Sequence, residues 1–262
     1  MENNATTGAV AQEAPPMSFF ERLIGVYFEP SKTFADISRK RSWFGIFLLF
    51  CIVNLAAGYA LQWRMDPADA ALKGMAMSKP FLKKFLSPEA IAQQEELVQK
   101  QALQPRSFLR KYSGLLVAPV MIYLSYLLMA AILLLAFIIT GAGITFRKSF
   151  TTTIWATAPP AIVVTLLSLL FIFLKNPADL EIAPVYNVMS NLGMLANFNT
   201  NPALNSFLSS IDLFSIWTVI LLSIGFAAMS EKKLTPAKAA VPIVCLWVVW
   251  VLVKVGFWSL LG

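Results

Sequence analysis

The side chains with the greatest capacity for chemistry are the few charged ones that fall within or at the edge of long apolar stretches. Asp212 stands at the start of one such stretch, and Lys254 lies well inside the next. An unpaired charge is costly in hydrocarbon, so such residues mark either ion and substrate pathways or structural pairs. Because a short link makes the two stretches antiparallel neighbours, an Asp212–Lys254 ion pair is one expectation. Snorkelling of Lys254 to the nearer surface is the other structural expectation, and an ion or substrate role is the alternative to both.

A second group of polar residues shares one helical face of the third apolar stretch. Thr157, Thr165 and Ser168 fall on this face, and Pro159-Pro160 frees backbone carbonyls one turn earlier. Such a face can line a wet path or a binding cavity. Hydroxyls and small residues more often let helices pack closely and bond across an interface, as Asn54 would in the first stretch. Packing is therefore favoured, with a transport pathway as the alternative.

The residue types needed for most enzyme sites are missing. The chain contains no histidine, which excludes H-E-x-x-H zinc sites, Ser-His dyads and Cys-His pairs together. Neither a Walker loop nor a G-x-S-x-G elbow occurs. The sequence therefore predicts a protein without catalytic activity, cofactor or metal.

The elements that carry these residues are long apolar segments. The chain is 58% hydrophobic and 13% charged, and a helix needs about 20 apolar residues to cross a bilayer. We therefore predict an all-α polytopic membrane protein, with one five-helix transmembrane domain over residues 43–262 and extramembrane loops at 64–113 and 175–212. The five predicted spans are Trp43–Trp63, Gly114–Thr140, Thr151–Leu174, Leu213–Met229 and Ala239–Leu261.

The segment before the first span predicts interfacial helices. Residues 1–17 read as a disordered tail, and residues 18–42 as an amphipathic segment that begins at the S-x-x-E capping pattern of Ser18 and Glu21. These helices either brace the bundle or form a docking surface for a partner or a lipid. The candidate membrane-surface contacts are Phe19, Phe20, Leu23, Phe34, Arg39, Lys40 and Arg41.

The distribution of basic residues predicts an orientation. Three groups fall on one side of the membrane: those of the N-terminal segment, Arg147-Lys148, and Lys232, Lys233 and Lys238. The positive-inside bias then predicts a cytoplasmic N-terminus and an external C-terminus. The loop from Arg64 to Lys111 lies outside in this arrangement with nine basic residues, and long loops follow the bias less strictly. Because the net charge of +7 sits beside apolar spans, it indicates contact with anionic lipid headgroups and no nucleic-acid partner.

Several motifs appear in a fixed order along the chain. They are Phe19-Phe20-Glu21-Arg22-Leu23-Ile24-Gly25-Val26 with Glu29-Pro30 and Thr33-Phe34; Gly141-x-Gly143 with Phe146-Arg147-Lys148; Ala156-Thr157-Ala158-Pro159; and Asp212-Leu213-Phe214-Ser215-Ile216-Trp217 with Leu221-Leu222-Ser223-Ile224-Gly225. In this order, from Phe19 to Leu261, the chain resembles the Yip domain family of Ypt/Rab-interacting integral membrane proteins, particularly its bacterial branch.

The resemblance implies five transmembrane helices, a cytoplasmic N-terminus and, in eukaryotic members, a role in vesicle traffic through prenylated small GTPases. The acidic D-L-Y-G-P motif of those members is absent here, and Ile154-Trp155 replaces their Gly-Tyr. These departures argue against a small GTPase partner. The sequence thus predicts a non-enzymatic protein, in a bacterial cytoplasmic membrane, that organises lipids, a membrane-protein partner or further copies of itself. A small transporter, channel or lipid-moving protein is the alternative.

Overall fold

The computed structural model describes residues 15–104, 108–183, 188, 190–196, 200–232 and 234–261, so the first 14 residues of the expected tail lie outside it. The described residues contain ten α helices and no β-strand. The helices are α1 Phe19–Phe28, α2 Pro30–Arg39, α3 Phe44–Arg64, α4 Pro67–Leu82, α5 Pro88–Leu103, α6 Phe108–Ile139, α7 Phe146–Leu174, α8 Pro202–Leu208, α9 Leu213–Met229 and α10 Pro236–Leu261.

Local sequence signals explain where these helices begin. Ser18 and Glu21 form the reciprocal capping box of α1. Asp66 and Ser87 cap α4 and α5 with their side chains, and each precedes a proline at the first helical position. The loop between α3 and α6 is therefore mostly helical, as the Asp66-Pro67 and Ser87-Pro88 signals predict.

Among the described residues, four helices are long and apolar enough to cross a membrane, which confirms the all-α polytopic prediction. They are α3, α7, the part of α6 from Ser113 to Ile139, and α10 from Pro236 to Leu260, with mean hydropathies of 2.2 to 2.6. The remaining predicted span, α9, has 17 residues and is about 25 Å long at 1.5 Å per residue. It is a few ångströms shorter than a hydrocarbon core of about 30 Å, and it is not one of the four helices long enough to cross.

Helix α7 is the centre of the bundle. It packs against α1, α3, α6 and α9. Every residue from Ser149 to Ala156 is buried, including three consecutive threonines that begin at Thr151. The helix begins at Phe146, five residues before the predicted span, because Thr145 caps it by accepting a hydrogen bond from the Lys148 N–H.

Aromatic contacts join the other helices to this centre. Trp43 packs against Phe150 and Tyr123 with ring centroids 5.0 and 6.1 Å apart, which connects α3, α6 and α7. Phe137 of α6 stacks on Phe226 of α9 at 4.2 Å. The apolar core is thus continuous across α3, α6, α7 and α9.

Two turns interlock at the end of the bundle that carries Lys148, Lys232 and Lys238, here called the basic end. Gly141 and Gly143 have φ angles of 65° and 67°, a conformation that suits glycine. The carbonyl of Ala142 between them accepts from the Glu231 N–H and the Ser230 hydroxyl. Lys148 donates to Glu231 at 2.8 Å, and this bond lowers the pKa of the Glu231 carboxyl. The α6–α7 turn therefore holds the α9–α10 link.

Gly225 is the point of closest approach between α2, α7 and α9. A Cβ atom there would lie 2.6 Å from Thr152 Cγ2 and 2.9 Å from Phe34 Cε1. We expect Gly225→Val to lower the free energy of unfolding by about 1 to 3 kcal/mol, because overpacking displaces these side chains. Thermal unfolding in detergent measures the loss. Gly256→Val is the matched control, since no described heavy atom lies within 4 Å of its added Cβ; an equal loss in both variants would contradict the packing described here.

Candidate functional site

The N-terminal hairpin, defined as α1 and α2, is built into the bundle. It turns at Glu29-Pro30, where proline fits the first position of α2. Helix α1 packs against α7, and α2 packs against α9. Each helix has 10 residues and is about 15 Å long, too short to cross a membrane. The hairpin therefore braces one end of the bundle.

A buried ion pair holds the two helices together. The Arg22 guanidinium donates from Nε to Asp36 at 2.7 Å, and its Nη2 lies 2.7 Å from the same carboxylate oxygen. Nη1 donates to the Lys40 carbonyl and to the Ser42 hydroxyl. Both charged side chains are almost fully buried. The pair thus joins α1, α2 and the link to α3.

Asp36 collects hydrogen bonds from three directions. Its other oxygen accepts from the Met17 N–H and from the Arg39 guanidinium. Burial alone would raise the pKa of this carboxyl, but the hydrogen bonds from Met17, Arg22 and Arg39 outweigh it and hold the pKa below its usual value. The carboxylate is therefore ionised in the folded protein at neutral pH.

Two aromatic side chains anchor this unit on α7. The Tyr27 hydroxyl donates to the Pro159 carbonyl at 3.0 Å, and its ring packs against Trp217 of α9. The indole N–H of Trp155 donates to the Ser42 carbonyl at 2.6 Å, and Phe19 packs on the same indole. The inner face of the hairpin is consequently fixed by polar and apolar contacts together.

The outer face of α1 is apolar and exposed. Phe20, Ile24 and Phe28 follow each other at four-residue spacing, with exposed fractions of 70%, 58% and 80%. Residues four apart lie on the same side of a helix, so these three form one stripe. The locked inner face keeps the stripe turned away from the bundle.

Basic residues follow the hairpin directly. Lys40 is exposed and Arg41 is half-buried. In the part of the chain that the structure describes, neither side chain is engaged in a hydrogen bond or ion pair. Arg39 differs from them because it bonds to Asp36. Two cations thus remain available beside the apolar stripe.

The residues predicted to touch the membrane surface divide into two groups. Phe20 and Lys40 are exposed and Arg41 partly so, whereas Phe19 and Leu23 are half-buried against the core. Phe34 is completely buried beside Gly225 and contacts protein, which corrects its expected place on the membrane surface. The cause is close packing of α2 on α9, which a single helix's periodicity does not reveal.

The polar face of α7 is buried at Thr165 and Ser168 and half-buried at Thr157, and it bonds to its own helix. The hydroxyls of Thr157, Thr165 and Ser168 each donate to the carbonyl four residues earlier, at 2.7 to 2.8 Å. Asn54 in α3 likewise donates to the Phe50 carbonyl. Each of these groups donates within its own helix, an arrangement that suits packing more than a wet path.

Asp212 and Lys254 have separate partners, so the ion pair expected between them is absent from the described structure. Asp212 caps α9 by accepting from the N–H and hydroxyl of Ser215, and it also accepts from Ser190. Capping commits this carboxylate to the helix N-terminus. Lys254 donates instead to Ser209 and Ser210.

Arg22 and Asp36 are the site residues that sequence reasoning missed. Arg22 interrupts the apolar pattern of α1, and Asp36 stands between Phe34 and Ile37 on the buried face of α2. When two short helices joined by a tight turn each carry one charge on the apolar face, and the two charges are opposite, the pattern indicates a buried ion pair. Among the described residues, no group of three or more His, Cys, Asp or Glu is placed to hold a metal ion.

Comparison with known proteins relates the chain to a protein family. A family model described as the Yip1 domain matches residues 24–256. No curated protein and no solved structure matches the chain. The matched range begins within α1 and ends within α10, and it includes both the hairpin turn and the interlocked turns at the basic end.

Proposed function

The chain belongs to the Yip1 domain family, and from this premise we propose that it is a non-enzymatic membrane protein that gathers anionic phospholipids around its N-terminal hairpin. The match confirms the resemblance drawn from the ordered motifs. The observation that carries the proposal is the two-faced α1, whose inner face is locked by Arg22 and Asp36 while its outer face presents Phe20, Ile24 and Phe28.

An amphipathic helix with aromatic residues on its exposed face and basic residues nearby binds the boundary between headgroups and acyl chains. The apolar stripe supplies contact with acyl chains. Lys40 and Arg41 supply positive charge, and each basic residue near an anionic membrane surface contributes about 1 kcal/mol of attraction. Because the hairpin is held by the bundle, its surface requires little ordering before it binds.

The same geometry supports a specific orientation. Lys40 and Arg41 precede α3, and Lys148 and Lys238 lie in the first turns of α7 and α10, which supports a common side for these residues if α3, α6, α7, α9 and α10 all cross. Under the positive-inside bias, this side is cytoplasmic. We therefore place the hairpin in the cytoplasmic leaflet, with a bacterial cytoplasmic membrane as the proposed location.

Other partners receive less support. The family is associated with small GTPases. This chain lacks the D-L-Y-G-P motif of eukaryotic members and has Ile154-Trp155 where they have Gly-Tyr, and both differences argue against that partner. A protein partner or a second copy could also cover the stripe, although neither explains the two free cations as directly as an anionic lipid does. The transport alternative loses its main support because the α7 hydroxyls bond to their own backbone.

The proposal predicts a charge-dependent preference for lipid. We expect Lys40→Gln combined with Arg41→Gln to weaken binding of phosphatidylglycerol at the hairpin by roughly thirtyfold, because two charges of about 1 kcal/mol each are lost near the surface. Phosphatidylcholine binding should stay nearly unchanged. Native mass spectrometry of the delipidated protein, titrated with each lipid, measures both affinities.

Lys83→Gln combined with Lys84→Gln is the matched control. These lysines are adjacent and exposed, and they lie at the end of α4, so the variant loses the same charge at a different place. It should bind phosphatidylglycerol as the unmodified protein does. Equal losses in the two double variants would show a general effect of net charge and would refute the proposed site.

A further inference from the structure

Lys254 occupies a position near the end of the bundle opposite the basic end, here called the far end. It lies 18 residues after Pro236, the first residue of α10, which is about 27 Å along the axis. Its neighbours Leu252, Val253 and Phe257 have exposed fractions of 65%, 58% and 49%. In a membrane, this part of α10 therefore faces lipid, and the flexible lysine can extend to the headgroups of the far leaflet.

The partners of Lys254 are neutral. Its ammonium donates to the Ser209 hydroxyl at 2.9 Å and to the Ser210 hydroxyl at 3.4 Å. Both hydroxyls donate their own protons to the Ser206 carbonyl. The serines therefore turn their lone pairs towards the lysine and fix the ammonium at the end of α8.

In the described part of the chain, no carboxylate pairs with this charge. Asp212 follows Ser210 by two residues, and its two oxygens accept from Ser190 and Ser215. Among the described residues, no acidic group lies within 4.0 Å of Lys254. An ammonium has three N–H donors, so one donor and the positive charge remain for an external acceptor.

We propose that Lys254, held by Ser209 and Ser210, binds the phosphate group of a phospholipid in the far leaflet. The phosphate accepts a charge-assisted hydrogen bond from the ammonium, and the acyl chains lie along the exposed apolar face of α10. Headgroup phosphate is the anion that a bilayer supplies at this depth. The site shares no residue with the N-terminal hairpin or with Lys40 and Arg41.

Lipid binding to charge variants tests this site. In a Lys40→Gln, Arg41→Gln background, which removes the cations of the hairpin surface, Lys254→Gln should bind phosphatidylglycerol about fivefold more weakly in native mass spectrometry than the background protein, and Lys254→Arg should retain most of the affinity because it keeps the cation. Lys238→Gln removes an exposed charge from the opposite end of α10 and should bind normally. Unchanged binding by Lys254→Gln, or an equal loss in Lys238→Gln, would overturn the proposal.

NMR of the lysine side chains tests the same site in a protein that keeps Lys254. The Nζ signals of ¹⁵N-lysine-labelled protein report on the unmodified ammonium groups, and the Lys254 signal can be assigned by its absence in Lys254→Arg. Phosphatidylglycerol should shift this signal, whereas inorganic phosphate at the same concentration should not. A shift with inorganic phosphate alone would assign the site to a free anion, and no shift with lipid would overturn it.

Discussion

Asp36→Ala is expected to lower the free energy of unfolding by about 3 to 5 kcal/mol, because it leaves the buried Arg22 guanidinium without its counter-charge. Arg22 would retain only the Lys40 carbonyl and the Ser42 hydroxyl as acceptors. The Met17 N–H would also lose its acceptor. Thermal or denaturant unfolding of the purified protein in detergent measures the loss.

Glu29→Gln is the control for this prediction. Glu29 also pairs with a cation, Lys32, but both side chains are mostly exposed. Exposed pairs contribute little, so this variant should unfold close to the unmodified protein. If Asp36→Ala unfolded like Glu29→Gln, the Arg22–Asp36 pair would not be the joint of the hairpin.

The same carboxylate predicts a dependence on pH. The folded-state pKa of Asp36 is depressed, so its contribution is fully present above the unfolded value of about 3.9 and is lost as the pH falls through the lower, folded-state pKa. Stability of the unmodified protein should therefore decline with acidification below about pH 4. Asp36→Ala should show a shallower decline over that range, because this contribution is already gone.

Trp155→Ala is expected to cost about 3 to 5 kcal/mol, the range for removing a large buried aromatic side chain. Trp155 is 1% exposed, packs with Phe19, and donates its indole N–H to the Ser42 carbonyl. The substitution opens a cavity where α1, α7 and the α2–α3 link meet. Unfolding in detergent gives the magnitude, and faster proteolysis near the hairpin should accompany it.

Two other tryptophan variants locate the cause of that loss. Trp250→Ala removes the same side chain from α10, where it is 65% exposed, so little stability should be lost. Trp155→Phe keeps most of the packing and removes the hydrogen bond, so its effect should be intermediate. A Trp250→Ala variant as unstable as Trp155→Ala would contradict the central place of α7.

Much of the fold follows from local sequence signals. Apolar length identifies α3, α6, α7 and α10, and Asp66-Pro67 and Ser87-Pro88 mark the starts of α4 and α5. Such signals depend on neighbours along the chain, so they can be read without knowledge of tertiary contacts. The ends of α9 agree with the prediction for the same reason.

The site was less predictable because it depends on contacts between distant residues. The sequence suggested that Phe34 could touch the membrane, but its burial arises from α2 packing on Gly225 of α9, 191 positions later in the chain. Likewise, Asp212 and Lys254 are near each other by topology, yet capping of α9 and the serines after α8 give them different partners. Charge and spacing alone cannot choose among such partners.

The buried ion pair also changes the interpretation of the basic residues Arg39, Lys40 and Arg41. Arg39 was expected to contact the membrane with Lys40 and Arg41, but it bonds to Asp36 and so belongs partly to the joint of the hairpin. The remaining two cations and the exposed stripe of α1 form the surface that we propose for anionic lipid. The hairpin therefore both stabilises the bundle and presents this surface.

Photo-crosslinking from Phe28 in intact membranes tests the proposed function most directly. A photoreactive residue at Phe28, which is 80% exposed, should form adducts with phospholipid, enriched in anionic headgroups over their share of the membrane. The same probe at Phe34, which is completely buried, should form contacts within the chain and no lipid adducts. Adducts from Phe28 to a protein alone, or lipid adducts without anionic enrichment, would contradict the role in gathering anionic lipid.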